Sequence, residues 1–179
     1  MQPILEKLHK DHKNFSLLLE FLEQQAKLLK DCERIDLELI LDALRYMQEY
    51  PDFIHHPLED VVYRYVLEHF DAVHNELVFL LHEHDELPGL TNKLIEMIQA
   101  VSASEPQDRE KLYKYLTAYI GAQKEHMNKE ESPVYPVIDS TLSDSDWNNI
   151  NSELKFVQDP MFGDKTKHCY QELLQKVIN

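Results

Sequence analysis

The sequence predicts an all-α protein: an up-and-down antiparallel four-helix bundle with two short additional C-terminal helices. Three observations carry this expectation. Leu, Glu, Lys and Gln are abundant, and apolar residues recur at spacings of three and four. No segment shows the period-two alternation of a half-buried strand. Only 3 glycines occur in 179 residues, which disfavours folds built on many tight turns or on a Gly-rich phosphate loop. The length fits one domain covering 1–179, with the bundle at about 3–138 and a helical extension at about 143–179.

The first helix is expected from about Pro3 to Lys30, with Pro3 suited to a first turn. The second starts near Asp36, a good N-cap, and runs to about Phe70. Pro51 and Pro57 interrupt it, so it is either kinked or two helices. The third covers about Ala72 to Val101 with a break expected at Pro88-Gly89. Ser104 and Gln107 resemble a capping box for the fourth, and Pro106 fits its first turn. This helix reaches about Glu131, with a continuation past Pro133 and Pro136 left open. Ser143-Asp-Ser-Asp146 opens a short helix through Trp147. A loop, Asp159-Pro-Met-Phe-Gly163, precedes a last amphipathic helix bearing Leu173, Leu174, Val177 and Ile178.

Lys plus Arg number 18 and Asp plus Glu 33, a net charge of −15. That balance argues against nucleic acid or an anionic membrane as partner, since both need basic patches. No run of about 18 apolar residues exists to span a membrane. The opening MQPILEKLHKDH lacks a signal-peptide core. Cys32 and Cys169 share no motif and read as two reduced thiols in a cytoplasmic protein.

The inner seams of the four helices carry the functional signal. The first reads Leu5, Leu8, His12, Phe15, Leu19, Leu22, Ala26, Leu29. The second reads Leu37, Leu41, Leu44, Gln48, Pro51, His55, Glu59, Val62, Val66, slipping by one residue near the prolines. The third reads Leu77, Leu80, His84, Leu87, Thr91, Leu94, Ile98. The fourth reads Leu112, Leu116, Tyr119, Gln123, His126, Glu130, Val134, Val137. Each helix therefore places a His inward, and two add a Glu one turn on, at i,i+4. A lone seam His is usually a hydrogen-bonded core residue, and a lone His–Glu pair is usually surface decoration. Two such pairs in phase with apolar seams, beside two more seam imidazoles, are harder to satisfy among themselves. A buried carboxylate is costly unless it is paired or binds a cation. Bound cations resolve the conflict, making His12, His55, Glu59, His84, His126 and Glu130 the candidate metal ligands.

The remaining histidines act as controls. His82 lies roughly 200° round the helix from His84 and should face away. His69, His74 and His168 fall outside the pattern and read as surface; His9 reads as surface or as an outer partner. His56 and Asp60 repeat the i,i+4 geometry one residue along, and Pro57 disturbs the register. Seam phase favours His55 and Glu59, while whether His56 or Asp60 replaces or supplements them stays open.

These residues resemble the hemerythrin-like, or HHE cation-binding, domain family, in its bacterial form. The resemblance rests on Asp11-His12, His55-His56-Pro-Leu-Glu59-Asp60-Val-Val-Tyr63, Glu83-His84-Asp85 and His126-Met-Asn-Lys-Glu130-Glu131-Ser-Pro-Val-Tyr-Pro136. The tail from Asp146-Trp147 to Asp159-Pro-Met-Phe-Gly163 also looks like bacterial members, so nearly the whole chain is covered. The resemblance implies a four-helix bundle around a non-haem di-iron centre. His12, His55, His84 and His126 would be terminal ligands, and Glu59 and Glu130 would bridge two iron ions.

The sequence departs from the oxygen-carrying hemerythrins at two places. Their third helix pairs two His at i,i+4, whereas Leu80 and Pro88 flank His84 at those offsets. Their last carboxylate is an Asp five residues after its His, whereas Glu130 follows His126 by four. One imidazole fewer leaves more positions for water or a small ligand.

The expected function is binding or sensing of oxygen, nitric oxide or a peroxide at this centre. An apolar shell of Leu8, Phe15, Leu80 and Leu116 would restrict water, and Tyr119 reads as a structural tyrosine near it. One alternative is a di-iron enzyme in oxidative or nitrosative stress defence or iron-centre repair, with the same ligands. Another is a structural helical protein holding zinc or no metal. A homodimer through surplus apolar faces is compatible with all three.

Overall fold

Asp36 and Ser143 show how the sequence starts its helices. The Asp36 carboxylate accepts from the Leu39 amide at 3.1 Å, and Ser143 forms a reciprocal capping box with Asp146. The structure is a computed structural model describing residues 2–100 and 106–178. Its elements are α1 (Pro3–Lys30), α2 (Leu37–Met47), a π-helical turn (Gln48–His55), α3 (His56–His69), α4 (His74–Ala100), α5 (Pro106–Lys129), a second π-helical turn (Glu130–Val134), α6 (Tyr135–Thr141), α7 (Asp144–Glu153), a 3₁₀ turn (His168–Tyr170) and α8 (Gln171–Val177). Among the described residues there is no strand, and no helix is long and apolar enough to cross a membrane. The Ser104–Gln107 capping box lies outside the described residues, because Ser104 is not among them.

The second predicted helix is one continuous path with a π-helical turn at its centre. Pro51 has no N–H to offer the ladder, and the wider turn absorbs the mismatch. The fourth also continues past its prolines, with Pro133 inside a second π-helical turn. The extra residue there moves the seam by one. Ile138 is fully buried while Val137, the expected seam residue, is half-buried.

The break expected at Pro88-Gly89 does not occur: α4 is unbroken through both residues. Pro88 deprives the His84 carbonyl of its usual partner, at a cost of about 3 kcal/mol in a helix interior. Packing overrides that cost. The inward stripe Leu77, Leu80, His84, Leu87, Thr91, Leu94, Ile98 is buried on both sides of the proline. Each buried Leu or Ile contributes about 1.5–3 kcal/mol. Gly89 is exposed, and a Cβ there would meet nothing.

The apolar core falls into two clusters. One includes Phe15, Leu19, Leu44, Leu94 and Leu116; the other includes Leu5, Leu8, Val62, Leu80, Val134 and Trp147. On α1 and α4 the chain passes from the Trp147 cluster to the Leu44 cluster, and on the α2–α3 and α5–α6 paths it passes back. Helix α1 packs along α5, α4 packs on α5, and α2 and α3 pack on α4. On every one of these paths the seam His and Glu residues fall between the two clusters.

The C-terminal segment closes over the bundle. Trp147 and Ile150 of α7 bury against α3, and α8 packs on α1 and α2. Asp159 anchors the intervening loop: its carboxylate accepts from the Met161 and Phe162 amides at 2.8 and 2.9 Å and from the Tyr46 hydroxyl at 2.9 Å. Gly163 is required there, since a Cβ would collide with the Asp159 carbonyl oxygen.

Candidate metal centre

Five imidazoles and two carboxylates meet between the two apolar clusters. Helix α1 supplies His12, the first π-helical turn His55, and α3 His56 and Glu59. Helix α4 supplies His84, α5 His126 and the second π-helical turn Glu130. All seven are buried, with His55, Glu59 and Glu130 at 0% exposure. Both π-helical turns border the site. Each widens the helix beside a His–Glu pair and turns the pair into the interior.

The donor atoms form two groups that could each hold a cation: His12, His55 and Glu59, and His56, Glu59, His84 and His126. Glu59 belongs to both. Its Oε1 lies 3.3 Å from His55 Nε2 and 3.7 Å from His12 Nε2, while Oε2 lies 3.5 Å from His84 Nε2. Glu130 divides itself in the same way. Its Oε2 is 3.3 Å from His12 Nε2, and Oε1 is 3.3 Å from His84 Nε2 and 3.4 Å from His126 Nε2. Each carboxylate thus spans the two imidazole groups.

An outer set of carboxylates fixes the rings. Nδ1 of His12 lies 2.8 Å from Glu131, that of His84 2.6 Å from Asp60, that of His126 3.0 Å from Glu83, and that of His55 3.2 Å from Asp11. Lys129 holds Glu83 at 2.7 Å and Lys7 holds Asp11 at 2.6 Å. A carboxylate on Nδ1 holds a proton there, so the inward-facing Nε2 is the nitrogen a metal would take once it displaces any proton on it. His56 differs: its Nδ1 is 3.7 Å from Asp52, beyond hydrogen-bond distance, and its ring stacks on His84 at 4.4 Å.

The electrostatics express the same crowding. Burial disfavours charge on His12, but the Glu130 and Glu131 carboxylates beside it outweigh burial and push its pKa up to about 10. His84 is likewise pushed up to about 10 against burial by Asp60 and Glu130. Burial opposes charge on Glu130, yet His126 and His12 hold its pKa well below the ordinary carboxylate value. Burial, with His84 and His126 as neighbours, pushes His56 well below 6.5. Burial raises Asp52 to about 7.

The site fits metal ions on the chemistry of its unsatisfied atoms. Glu59 Oε2, Glu130 Oε2 and His126 Nε2 are buried acceptors with no hydrogen-bond partner among the described residues. His12 Nε2 and His55 Nε2 lie 3.0 Å apart and can share one proton at most. Cations between these atoms would satisfy all of them at once.

All six candidate ligands read from the seams come together here. His56, which the sequence left open beside His55, lies among them and joins the group with Glu59, His84 and His126. The physical reason is that consecutive helical residues point about 100° apart. His55 faces Asp11 on α1, His56 faces His84 on α4, and Glu59 lies one turn from both. A seam that selects one residue per turn cannot show such a straddling pair. Asp60 is an outer partner of His84, not an inner donor.

The sequence assigned no role to several further residues. Asp11, Glu83 and Glu131 each adjoin an inner residue in sequence, which was the available signal. Tyr63 donates to Glu130 at 2.9 Å, and Tyr135 donates to Glu59. His9, half-exposed, bonds Glu131 at 2.8 Å and so touches the site through one carboxylate. His69, His74, His82 and His168 are exposed, as the seam phase requires. Tyr119 lies in the adjoining core, its hydroxyl 3.4 Å from Thr91 Oγ1.

Comparison with known proteins gives one family match. The sequence model described as the Hemerythrin HHE cation binding domain matches residues 4–138, which include all seven inner residues. No curated protein was found to match the chain.

Proposed function

The chain belongs to the hemerythrin HHE cation-binding domain family, and from that premise we propose that it is a non-haem di-iron protein that binds or senses oxygen, nitric oxide or a peroxide. Its cluster of buried His and Glu fits a metal site. In this reading His12 and His55 would hold one iron and His56, His84 and His126 the other, with Glu59 and Glu130 as the carboxylates that both would share. The observation that carries it is the division of each carboxylate's two oxygens between the two imidazole groups. Mixed imidazole and carboxylate donors suit iron, though zinc could occupy part of the set.

The unequal groups give the centre a direction. With two imidazoles against three, the His12–His55 end would leave an iron more room for a small ligand. Bound iron supplies the electrons that bind and reduce such ligands. The protein's own residues do the rest. Leu8, Phe15 and Leu80 exclude water, the outer carboxylates hold protons on Nδ1, and Tyr63 and Tyr135 fix the bridging carboxylates.

The alternating chain direction between the two core clusters supports an up-and-down four-helix bundle, with 139–179 as part of the same domain. Two exposed free cysteines support a cytoplasmic setting. Optical spectra of iron-loaded protein, before and after reduction and with each gas or peroxide, test the proposal. Stoichiometric changes in the absorption bands are expected. Bands indifferent to every ligand would refute it, and steady turnover with an electron donor would assign an enzyme instead.

A further inference from the structure

The two tyrosines at the centre form a crossed pair. Tyr63, on the helix that carries Glu59, donates to Glu130 at 2.9 Å, and Tyr135, just beyond Glu130, donates to Glu59. Each ring also stacks on an inner imidazole. Tyr63 lies 5.9 Å from His84 at 21° between ring planes, and Tyr135 lies 5.6 Å from His12 at 8°. Each phenol therefore touches a carboxylate through its hydroxyl and an imidazole through its face, one at each end of the centre.

Orienting a carboxylate needs one hydroxyl but no aromatic stacking on the opposite group. These contacts supply a path for an electron through the ring and a path for a proton through the hydroxyl. We propose that Tyr63 and Tyr135 are one-electron donors to peroxide reduced at this centre when no outside reductant is present. The inference rests on the di-iron reading above.

The step balances within the named groups. Two phenol O–H bonds and the O–O bond of hydrogen peroxide break. The two protons and the two electrons pass to the peroxide and convert it to two water molecules. Two phenoxyl radicals remain. Tyr63 at 0% and Tyr135 at 3% exposure are shielded from solvent, which lengthens the life of a radical. Trp147 shares their apolar cluster and is the competing ring.

The test is freeze-quenched electron paramagnetic resonance of the iron-loaded full chain mixed with hydrogen peroxide, with iron content measured on the same samples. An organic radical signal is expected, and per iron bound it is diminished in Tyr63→Phe and in Tyr135→Phe and lost in the double variant. Because the variants remove buried hydrogen bonds, wild-type protein grown with ring-deuterated tyrosine gives a second readout, in which the hyperfine splitting must narrow. A signal that keeps its splitting after deuteration, or survives in the double variant, overturns the proposal and points to Trp147. Iron-loaded protein that yields no organic radical overturns this proposal alone, whereas protein that retains no iron overturns the di-iron reading with it.

Discussion

Glu131 Oε1 lies 2.8 Å from His12 Nδ1, and the opposite nitrogen of that ring faces Glu130 Oε2 at 3.3 Å. One imidazole is thus held between an outer and an inner carboxylate carried by consecutive residues of one π-helical turn. Replacing Glu131 by Gln keeps the shape but removes the charge that fixes the proton on Nδ1. Metal affinity is expected to fall about 10–100-fold, the usual consequence of losing an outer partner. Competition with a chelator measures it. Unchanged affinity would show that the outer carboxylates are mere surface charge.

His56 gives a sharper contrast with His55. In His56→Ala the three-imidazole group loses one donor, while the His12–His55 group is intact. The variant should lose affinity for one ion and retain the other. His55→Ala should do the converse. Titration with cobalt, followed by its ligand-field absorption, separates the two. Identical losses in both variants would contradict the grouping.

The pH dependence of the metal-free protein follows from the raised imidazoles. Although burial opposes their charge, His12 and His84 are pushed from 6.5 up to about 10 by neighbouring carboxylates. A pKa raised on folding stabilises the fold fully below the unfolded value, and that stability is lost as pH rises through the folded value. The melting temperature in chelator should therefore fall between pH 6.5 and about 10. Glu130, held low despite burial, acts on the other side. Its contribution is present above 4.5 and is lost on acidification. Metal must displace the imidazole protons, so loading should strengthen with pH and release protons into a weak buffer. A melting temperature flat across the alkaline range would contradict the protonated cluster.

Leu44 tests the separation of core and site. It is fully buried in the larger apolar cluster and is absent from the donor groups. Leu44→Ala should cost about 2–5 kcal/mol in denaturant unfolding through transfer and cavity terms, with metal content unchanged.

Much of this arrangement was legible in the amino-acid sequence, and the failures are local. The α4 seam from Leu77 to Ile98 appears in the structure residue for residue, because a helix packed on one face has no freedom to choose another. Pro88 misled because a breaker's cost is visible in sequence while the burial that outweighs it is not. Val137 gave way to Ile138 because a π-helical turn shifts phase without changing the pattern before it. His56 stayed open for a related reason: a pair straddling the seam looks like one inward and one sideways residue. The crossed contacts from Tyr63 to Glu130 and from Tyr135 to Glu59 join residues 67 and 76 positions apart, and no local spacing encodes them.

The central claim is that the shared carboxylates lie between two metal ions. Iron bound per chain, determined by elemental analysis of reconstituted and desalted protein, tests it most directly. Two iron ions per chain are expected in the wild type, with a marked loss of both in Glu130→Ala. A wild type that holds none, or a Glu130→Ala variant that holds as much as the wild type, would contradict it.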